Sequence, residues 1–345
     1  MYCKIIFLIT LIFNNIFSDE YPMVSSLPGD YVEIDKLVQE MMADNKGSAS
    51  QMTITKNGVV IYDKSFGYKE KQTKELMNSK ILMRIGSVSK LLTASIIYDL
   101  IDKNKIRITD RPFRKWSDLG NLNNVNNNLM DITIEMLLSH KGGWDRSKSF
   151  DPAFGLPEKL LKNKTFFDLN GKQLMSLMAI NELDFKPGTE KSYSNFGYIV
   201  LGRVIEDATG TDYGIYLSKF MNNEIGNGNF GVGKSGSKNV KGSPECEYND
   251  LDCNMAVMDS AGGCVSNTGA LCLFLNKFLI SGVRESGKIL SDTFYGSVPG
   301  ACSFVRKRPD KINYAYIQNG RGGPMEKYVA RLDAILNNYI AKKKL

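Results

Sequence analysis

The sequence predicts an α+β fold with one antiparallel sheet formed by both ends of the chain, flanked by helices and interrupted by an inserted helical domain. Near one end, β-rich residues 52–55 and 59–62 flank Asn57 and Gly58, a dipeptide typical of a two-residue hairpin. Near the other end, residues 302–305 and 312–317 are two more β-rich runs. Helical patterns dominate between these regions, so we expect the helical insertion over about residues 105–260.

Helices are expected next to both pairs of strands. An apolar periodic pattern covers residues 32–43, before the first hairpin, and another covers residues 328–340, after the last strand. A third apolar helix is predicted over residues 198–205. The chain has 345 residues, of which 43% are hydrophobic and 23% charged, as in an ordinary globular protein that is long enough to bury a core.

The first residues resemble a secretory signal peptide. Lys4 precedes an apolar run over residues 5–13, which is too short to cross a bilayer, and the small residue Ser18 precedes two acidic residues. We therefore expect a signal peptide over residues 1–18, a mature domain over residues 19–345 and secretion without stable membrane insertion. A buried strand or an uncleaved anchor is the alternative. The glycosylation sequon at Asn163 is consistent with secretion.

Charge and residue counts exclude several classes of function. The net charge of +7 is spread along the chain, without the clustered basic and aromatic residues of a nucleic-acid interface, so we expect no nucleic-acid partner. A catalyst or zinc site based on imidazole would depend entirely on His140, the one histidine. We expect neither a metal ion nor an organic cofactor. The cysteines Cys264, Cys272 and Cys302 are interpreted as small buried hydrophobic residues.

A serine and a lysine three residues apart are the first candidate catalytic pair. Gly86 interrupts the chain just before a predicted helix whose first turn contains Ser87, and Lys90 follows on the same face. A serine hydroxyl needs a base to become a good nucleophile, and a lysine with a lowered pKa can be that base. The alternative for this common pattern is a helix cap followed by a solvated lysine.

Residues 85–94, with the sequence Ile-Gly-Ser-Val-Ser-Lys-Leu-Leu-Thr-Ala, resemble the nucleophile motif of the serine β-lactamase and penicillin-binding (DD-peptidase) superfamily. The resemblance is to the branch that is similar to class C β-lactamases and their esterase relatives. Residues 131–145, 185–210, 259–263 and 296–300 are similar to further family segments and occur in the family order. The resemblance implies a β-lactamase/transpeptidase-like fold and a hydrolase that acts on a small-molecule or peptide ester or amide.

The same resemblance implies roles for two more residues. Tyr193 and Asn195 match the family's Tyr-x-Asn motif. With Ser87 and Lys90, Tyr193 would be catalytic and would move the proton, whereas Asn195 would bind Lys90 or a substrate amide. His140 resembles a structural element of the family. The alternative for Tyr193 is a tyrosine that is simply packed in a loop.

The third family motif departs from the expected pattern. A cation and a small hydroxyl residue are expected before its glycine, but Phe294 and Tyr295 precede Gly296. This argues against β-lactam or peptidoglycan substrates, although Gly296 and the N–H of Ser297 can still line the substrate site. The segment before Phe294 is also shorter than in relatives, so we expect one wall of the cleft to be open. These departures support the alternative of a non-catalytic binding or structural protein.

Overall fold

The computed structural model describes residues 21–27, 31–116, 127–161, 165–235, 248, 253–285 and 292–342. The predicted signal peptide, the sequon at Asn163 and most of the shortened segment before Phe294 lie outside the described residues. These predictions therefore stay predictions.

The described residues contain ten strands and ten helices. The strands are β1 (Met23–Ser25), β2 (Ala49–Lys56), β3 (Val59–Glu70), β4 (Glu75–Leu76), β5 (Met83–Arg84), β6 (Phe230–Val232), β7 (Cys264–Ser266), β8 (Asp292–Val298), β9 (Ala301–Lys307) and β10 (Ile312–Gln318). The helices are α1 (Val32–Asp44), α2 (Ser89–Asp102), α3 (Ile134–Leu138), α4 (Glu158–Leu161), α5 (Gly171–Met178), α6 (Asn195–Thr209), α7 (Tyr213–Ile225), α8 (Met255–Met258), α9 (Thr268–Lys277) and α10 (Met325–Ala341).

One antiparallel sheet joins the two ends of the described chain, as the sequence predicts. Its strand order is β1-β3-β2-β10-β9-β8, and β4 pairs with β3. The two halves meet between β2 and β10, whose pairing runs from Ser50 opposite Gln318 to Lys56 opposite Ile312. Strand β8 lies at the end of this order, with β9 as its partner in the sheet. The predicted α+β fold with a shared antiparallel sheet is confirmed.

The hairpin between β2 and β3 forms where the sequence predicts it. Asn57 and Gly58 have φ angles of 51° and 78°, so both residues of the turn adopt left-handed conformations. Asparagine and glycine tolerate this region better than other residues, and such a turn matches the natural twist of the strands.

Helices cover both faces of the sheet. On one face α1 packs against α10, and the cluster there includes Leu37, Phe304, Tyr314 and Leu332. On the other face α9 contacts β2 and β10, and the larger cluster includes residues of α2, α6 and α7. The helices predicted over residues 32–43, 198–205 and 328–340 are present as α1, α6 and α10, each somewhat longer than predicted. Cys264, Cys272 and Cys302 are buried thiols, consistent with their interpretation as small hydrophobic residues.

A second sheet of three short strands supports the candidate site. Its order is β5-β7-β6, and β5 leads directly into the turn that carries Ser87. Strand β7 follows residues 259–263, so two of the family-like segments meet here. Among the helices that the structure describes, none is both long and apolar enough to cross a membrane.

Candidate active site

The candidate nucleophile Ser87 lies in a turn of 3-10 helix, Gly86–Val88, immediately before α2. Gly86 has a φ angle of +52°, a conformation that other residues adopt only with strain. The turn is held by Ser89, whose Oγ donates to the carbonyl of Gly86 at 2.6 Å, and by Ser303, whose Oγ donates to the carbonyl of Ile85 at 2.8 Å. These contacts keep Ser87 partly exposed at the start of the helix.

Lys90 lies one helical turn after Ser87 and is 1% exposed. Its Nζ contacts three oxygen atoms: Ser87 Oγ at 3.3 Å, Asn195 Oδ1 at 2.7 Å and the carbonyl of Ala261 at 2.5 Å. Burial lowers the pKa of Lys90 to about 7, and the nearby Arg146 guanidinium adds to this effect although the Asp151 carboxylate opposes it. The amine therefore exchanges its proton near neutral pH, as a general base requires.

Tyr193 approaches Ser87 from the loop before α6. Its phenol donates to Ser87 Oγ at 2.7 Å, and Lys90 Nζ lies 4.9 Å from the centre of its ring. Burial raises the pKa of Tyr193 above its ordinary value, despite the opposing effects of Ser87 and Arg146. The phenol is therefore protonated at neutral pH, and Lys90 titrates there.

His140 supports Tyr193 from behind. Its ring lies 4.6 Å from the Tyr193 ring and 5.2 Å from the Tyr198 ring, and its Nδ1 accepts the N–H of Ser194 at 3.2 Å. Burial, with the charges of Lys90 and Lys191, lowers the pKa of His140 to about 4. The imidazole is thus neutral and acts as a hydrogen-bond acceptor for the loop backbone, in agreement with the structural role that the resemblance implies.

Two charged residues near the site were missed in the sequence. Asp151 accepts the Nδ2–H of Asn195 at 2.6 Å, which orients the amide so that its Oδ1 accepts from Lys90. Arg146 lies 3.9 Å from the Asp151 carboxylate and 5.3 Å from the centre of the Tyr193 ring. Both belong to the loop after α3. Their only signal in the sequence is the presence of charges beside the family-like segment at residues 131–145.

Strand β8 lies against the turn that carries Ser87 and forms a wall beside it. A Cβ atom on Gly296 would lie 2.1 Å from the carbonyl oxygen of Ile85, and one on Gly86 would lie 2.6 Å from the backbone nitrogen of Ser297. The strand and the nucleophile turn are therefore in backbone-to-backbone contact, which only glycine permits. This contact brings the amide of Ser297 beside the turn of Ser87.

The two aromatic residues of the third motif point to opposite faces of β8. Phe294 packs against the larger cluster, which includes residues of α2, α6 and α7. Tyr295 packs against the cluster between the sheet and α10, with its ring 6.4 Å from that of Phe304. Neither residue brings a charge to the site. Within the described residues, no group of three or more His, Cys, Asp or Glu side chains could hold a metal ion.

Substituting Gly296 by alanine is expected to lower kcat/KM for ester hydrolysis by about 10²- to 10³-fold, because the added Cβ displaces the Ser297 amide from the nucleophile turn. Steady-state kinetics with nitrophenyl acetate measure this effect. Gly231→Ala in β6 is the control, since no atom lies within 4 Å of the Cβ that it adds. Equal rates for the two variants would contradict a role for this wall.

Comparison with known proteins agrees with this geometry. The family model described as Beta-lactamase matches residues 34–319, which include Ser87, Lys90, Tyr193 and Ser297. The chain belongs to the beta-lactamase family. Its superfamily is that of the beta-lactamase-like serine hydrolases, although the third motif of this chain lacks the cation that the resemblance implies.

Relatives of this beta-lactamase-family chain have diverse names. A probable fimbrial assembly protein FimD of Dichelobacter nodosus is 29% identical over 178 residues, 52% of this chain and 42% of the relative. The chain thus spans well under two thirds of that relative. A solved penicillin-binding protein homologue from Pyrococcus abyssi has a TM-score of 0.66, at 19% identity over 90% of this chain and 78% of the other. A D-amino acid amidase from Ochrobactrum anthropi also has a TM-score of 0.66, at 16% identity over 89% and 99% of the two chains. These two structures show that the fold is shared.

Proposed function

We propose that this protein is a secreted serine hydrolase that cleaves an ester or amide through an acyl-enzyme on Ser87. The observation that carries the proposal is the pair of contacts at Ser87 Oγ, with the Tyr193 phenol at 2.7 Å and the Lys90 amine at 3.3 Å. The pKa of Lys90, lowered to about 7, supports it because a neutral amine accepts the serine proton.

In the first step, Ser87 Oγ attacks the substrate carbonyl and its proton passes to the neutral amine of Lys90. The bond to the leaving group then breaks, and the Tyr193 phenol protonates that group. Lys90, 4.9 Å from the Tyr193 ring, returns a proton to the phenolate, so the charges balance at the acyl-enzyme. Water then attacks the acyl group by the same path in reverse, which restores Ser87.

The negative charge of the tetrahedral intermediate needs hydrogen-bond donors. The amide of Ser87, at the start of α2, and the amide of Ser297, which lies beside Gly86, are the two candidates. Backbone donors are unaffected by the unusual side chains of Phe294 and Tyr295. The site therefore keeps its proposed donors for the oxyanion even though the third motif has changed.

A specific observation favours a second candidate function. Phe294 and Tyr295 pack into the two sides of the fold and contribute no charge. A non-catalytic family member that only binds a ligand would keep this fold without forming an acyl-enzyme.

Labelling with a fluorophosphonate probe separates the two candidates. The wild-type protein is expected to be modified at Ser87, as found by mass spectrometry of the peptide, and Ser87→Ala is expected to remain unlabelled. Ser176→Ala in α5, where the hydroxyl only donates to the carbonyl of Lys172, is the control that removes a serine hydroxyl and keeps Ser87 and its turn intact. A folded wild-type protein that stays unlabelled and leaves nitrophenyl esters intact would favour the non-catalytic candidate.

A further inference from the structure

Arg146 places a guanidinium beside the reacting groups. Lys90, with its pKa lowered to about 7, is largely uncharged above neutral pH, and His140, with its pKa lowered to about 4, is neutral. The carboxylate of Asp151 adds a negative charge. The guanidinium of Arg146 lies 5.3 Å from the centre of the Tyr193 ring.

The donors of this guanidinium are available to a ligand. Within the described part of the chain Arg146 makes no hydrogen bond, and its ion pair with Asp151 has an N–O distance of 3.9 Å, beyond hydrogen-bond range. Asp151 instead accepts from Asn195 at 2.6 Å. The Arg146 side chain is 54% exposed. A planar group with five N–H donors thus faces solvent above Tyr193, which itself contacts Ser87.

The loop that carries Arg146 is held by hydrogen bonds on both sides of it. Asp145 Oδ1 accepts the backbone N–H and the hydroxyl of Ser147 at 2.9 and 2.7 Å. Asp184 accepts the backbone N–H of Asp145 at 2.7 Å and the hydroxyl of Ser149 at 2.9 Å. The backbone of Arg146 is therefore fixed before any ligand arrives, which lowers the entropy lost on binding.

We propose that Arg146 is a specificity-determining residue that binds a carboxylate of the substrate close to the bond that is cleaved. A guanidinium pairs with a carboxylate through two parallel hydrogen bonds, a geometry that suits its free donors. The inference rests on the proposed hydrolase function, and it assigns anionic esters or amides as the substrate class. It also accounts for a site in which Phe294 and Tyr295 supply no cation.

A pair of esters that differ only in charge tests the proposal. Nitrophenyl hydrogen succinate carries a carboxylate, and nitrophenyl methyl succinate masks the same group as a neutral ester. The wild-type protein is expected to prefer the anionic ester. Arg146→Met is expected to lower kcat/KM for the anionic ester about 10- to 100-fold more than kcat/KM for the neutral ester, mainly through KM. A change in the pKa of Lys90, which Arg146 helps to lower, affects both esters alike. Arg146→Lys should restore part of the preference.

The matched control is Lys148→Met, which removes a cation from the same loop. Lys148 is 49% exposed and pairs with Glu190 at 3.3 Å, on the side of the loop where it contacts Phe185. This variant should keep the wild-type preference. An equal loss on both esters in Arg146→Met, or the same selective loss in Lys148→Met, would overturn the proposal.

A binding experiment separates failure of this inference from failure of the proposed function. Ser87→Ala cannot form an acyl-enzyme, so its affinity for phenylacetate and for phenylacetamide is measured by NMR titration without turnover. We expect tighter binding of phenylacetate, and loss of this difference in the Ser87→Ala/Arg146→Met double variant. Equal affinity for the two compounds in Ser87→Ala overturns the proposal, even if the wild-type protein hydrolyses esters. If no ester is cleaved but phenylacetate is preferred, the hydrolase function fails and the anion site stands.

Discussion

Replacing Lys90 by methionine is expected to lower kcat/KM for ester hydrolysis by about 10²- to 10⁴-fold, because the change removes the base that takes the proton of Ser87. Methionine keeps an unbranched side chain in the buried position. The measurement is steady-state hydrolysis of nitrophenyl acetate, together with the rate of labelling by a fluorophosphonate. Both rates should fall in parallel, since both depend on the nucleophilicity of Ser87.

The pH dependence of kcat/KM in the wild-type protein is a second test of Lys90 as the base. Since Lys90 acts in its neutral form, kcat/KM should rise with pH through about 7, the value to which burial lowers its pKa. The residual activity of Lys90→Met should lack this rise. The lowered pKa of Lys90 also predicts a change of stability with pH. In the unfolded chain Lys90 stays protonated up to about pH 10, whereas in the folded protein it loses its proton near pH 7. Between about pH 7 and pH 10, the free energy of unfolding of the wild type should therefore rise relative to that of Lys90→Met.

A control at the other end of α2 tests whether the effect belongs to the site. Lys103 follows the helix, is largely exposed and pairs with Asp99 at 2.7 Å. Lys103→Met makes the same substitution at an exposed lysine and should leave both the rate and its pH dependence unchanged. A wild-type pH profile that is flat between pH 5 and pH 9 would contradict the assignment of Lys90 as the base.

Replacing Arg203 by methionine is expected to lower the free energy of unfolding by about 3–5 kcal/mol. Arg203 in α6 is buried and pairs with the buried carboxylate of Asp259 and with Glu206 at 3.0 Å. Without the guanidinium, the buried carboxylate of Asp259 loses its ion-pair partner. Urea denaturation followed by circular dichroism measures the loss.

The double variant Arg203→Met/Asp259→Asn separates charge from packing. Asparagine is neutral and retains an oxygen that accepts from Ser260, as Asp259 Oδ1 does at 2.8 Å. It should therefore recover most of the stability that Arg203→Met loses. No recovery would mean that the cost comes from lost packing around Arg203. The carbonyl of Ala261, two residues after Asp259, accepts from Lys90. Arg203→Met should therefore also disturb this contact in the candidate site.

Features set by neighbouring residues could be predicted from the sequence. The hairpin at Asn57 and Gly58 depends on two residues that accept left-handed conformations, and the pairing of Ser87 with Lys90 depends on helix periodicity. Tyr193 lies 106 residues after Ser87, and no local pattern relates them. It could be placed only through the resemblance to a family.

Other features depend on how distant segments pack. The strands β5, β6 and β7 have only two or three residues each, too few to show an alternating pattern, so the second sheet was not predicted. Arg146 and Asp151 lie in an irregular loop, where charged residues are common and their contacts are set by the fold around them. Ala261 accepts the hydrogen bond of Lys90 through its backbone carbonyl, and a backbone contact cannot be predicted from the type of side chain.

The pairing of β2 with β10 has a consequence for the order of events during synthesis. Thr55 and Asn313, which meet in this pairing, are 258 residues apart in the chain. A ribosome therefore delivers the helices that surround Lys90 and Tyr193 before it delivers β8, β9 and β10. The Ser87 turn acquires the Ser297 amide, and the contact of Ser303 with Ile85, only when β8 and β9 have docked. The residues of the proton-transfer group are thus synthesised before the strand that supplies the Ser297 amide, and the candidate oxyanion site is completed last.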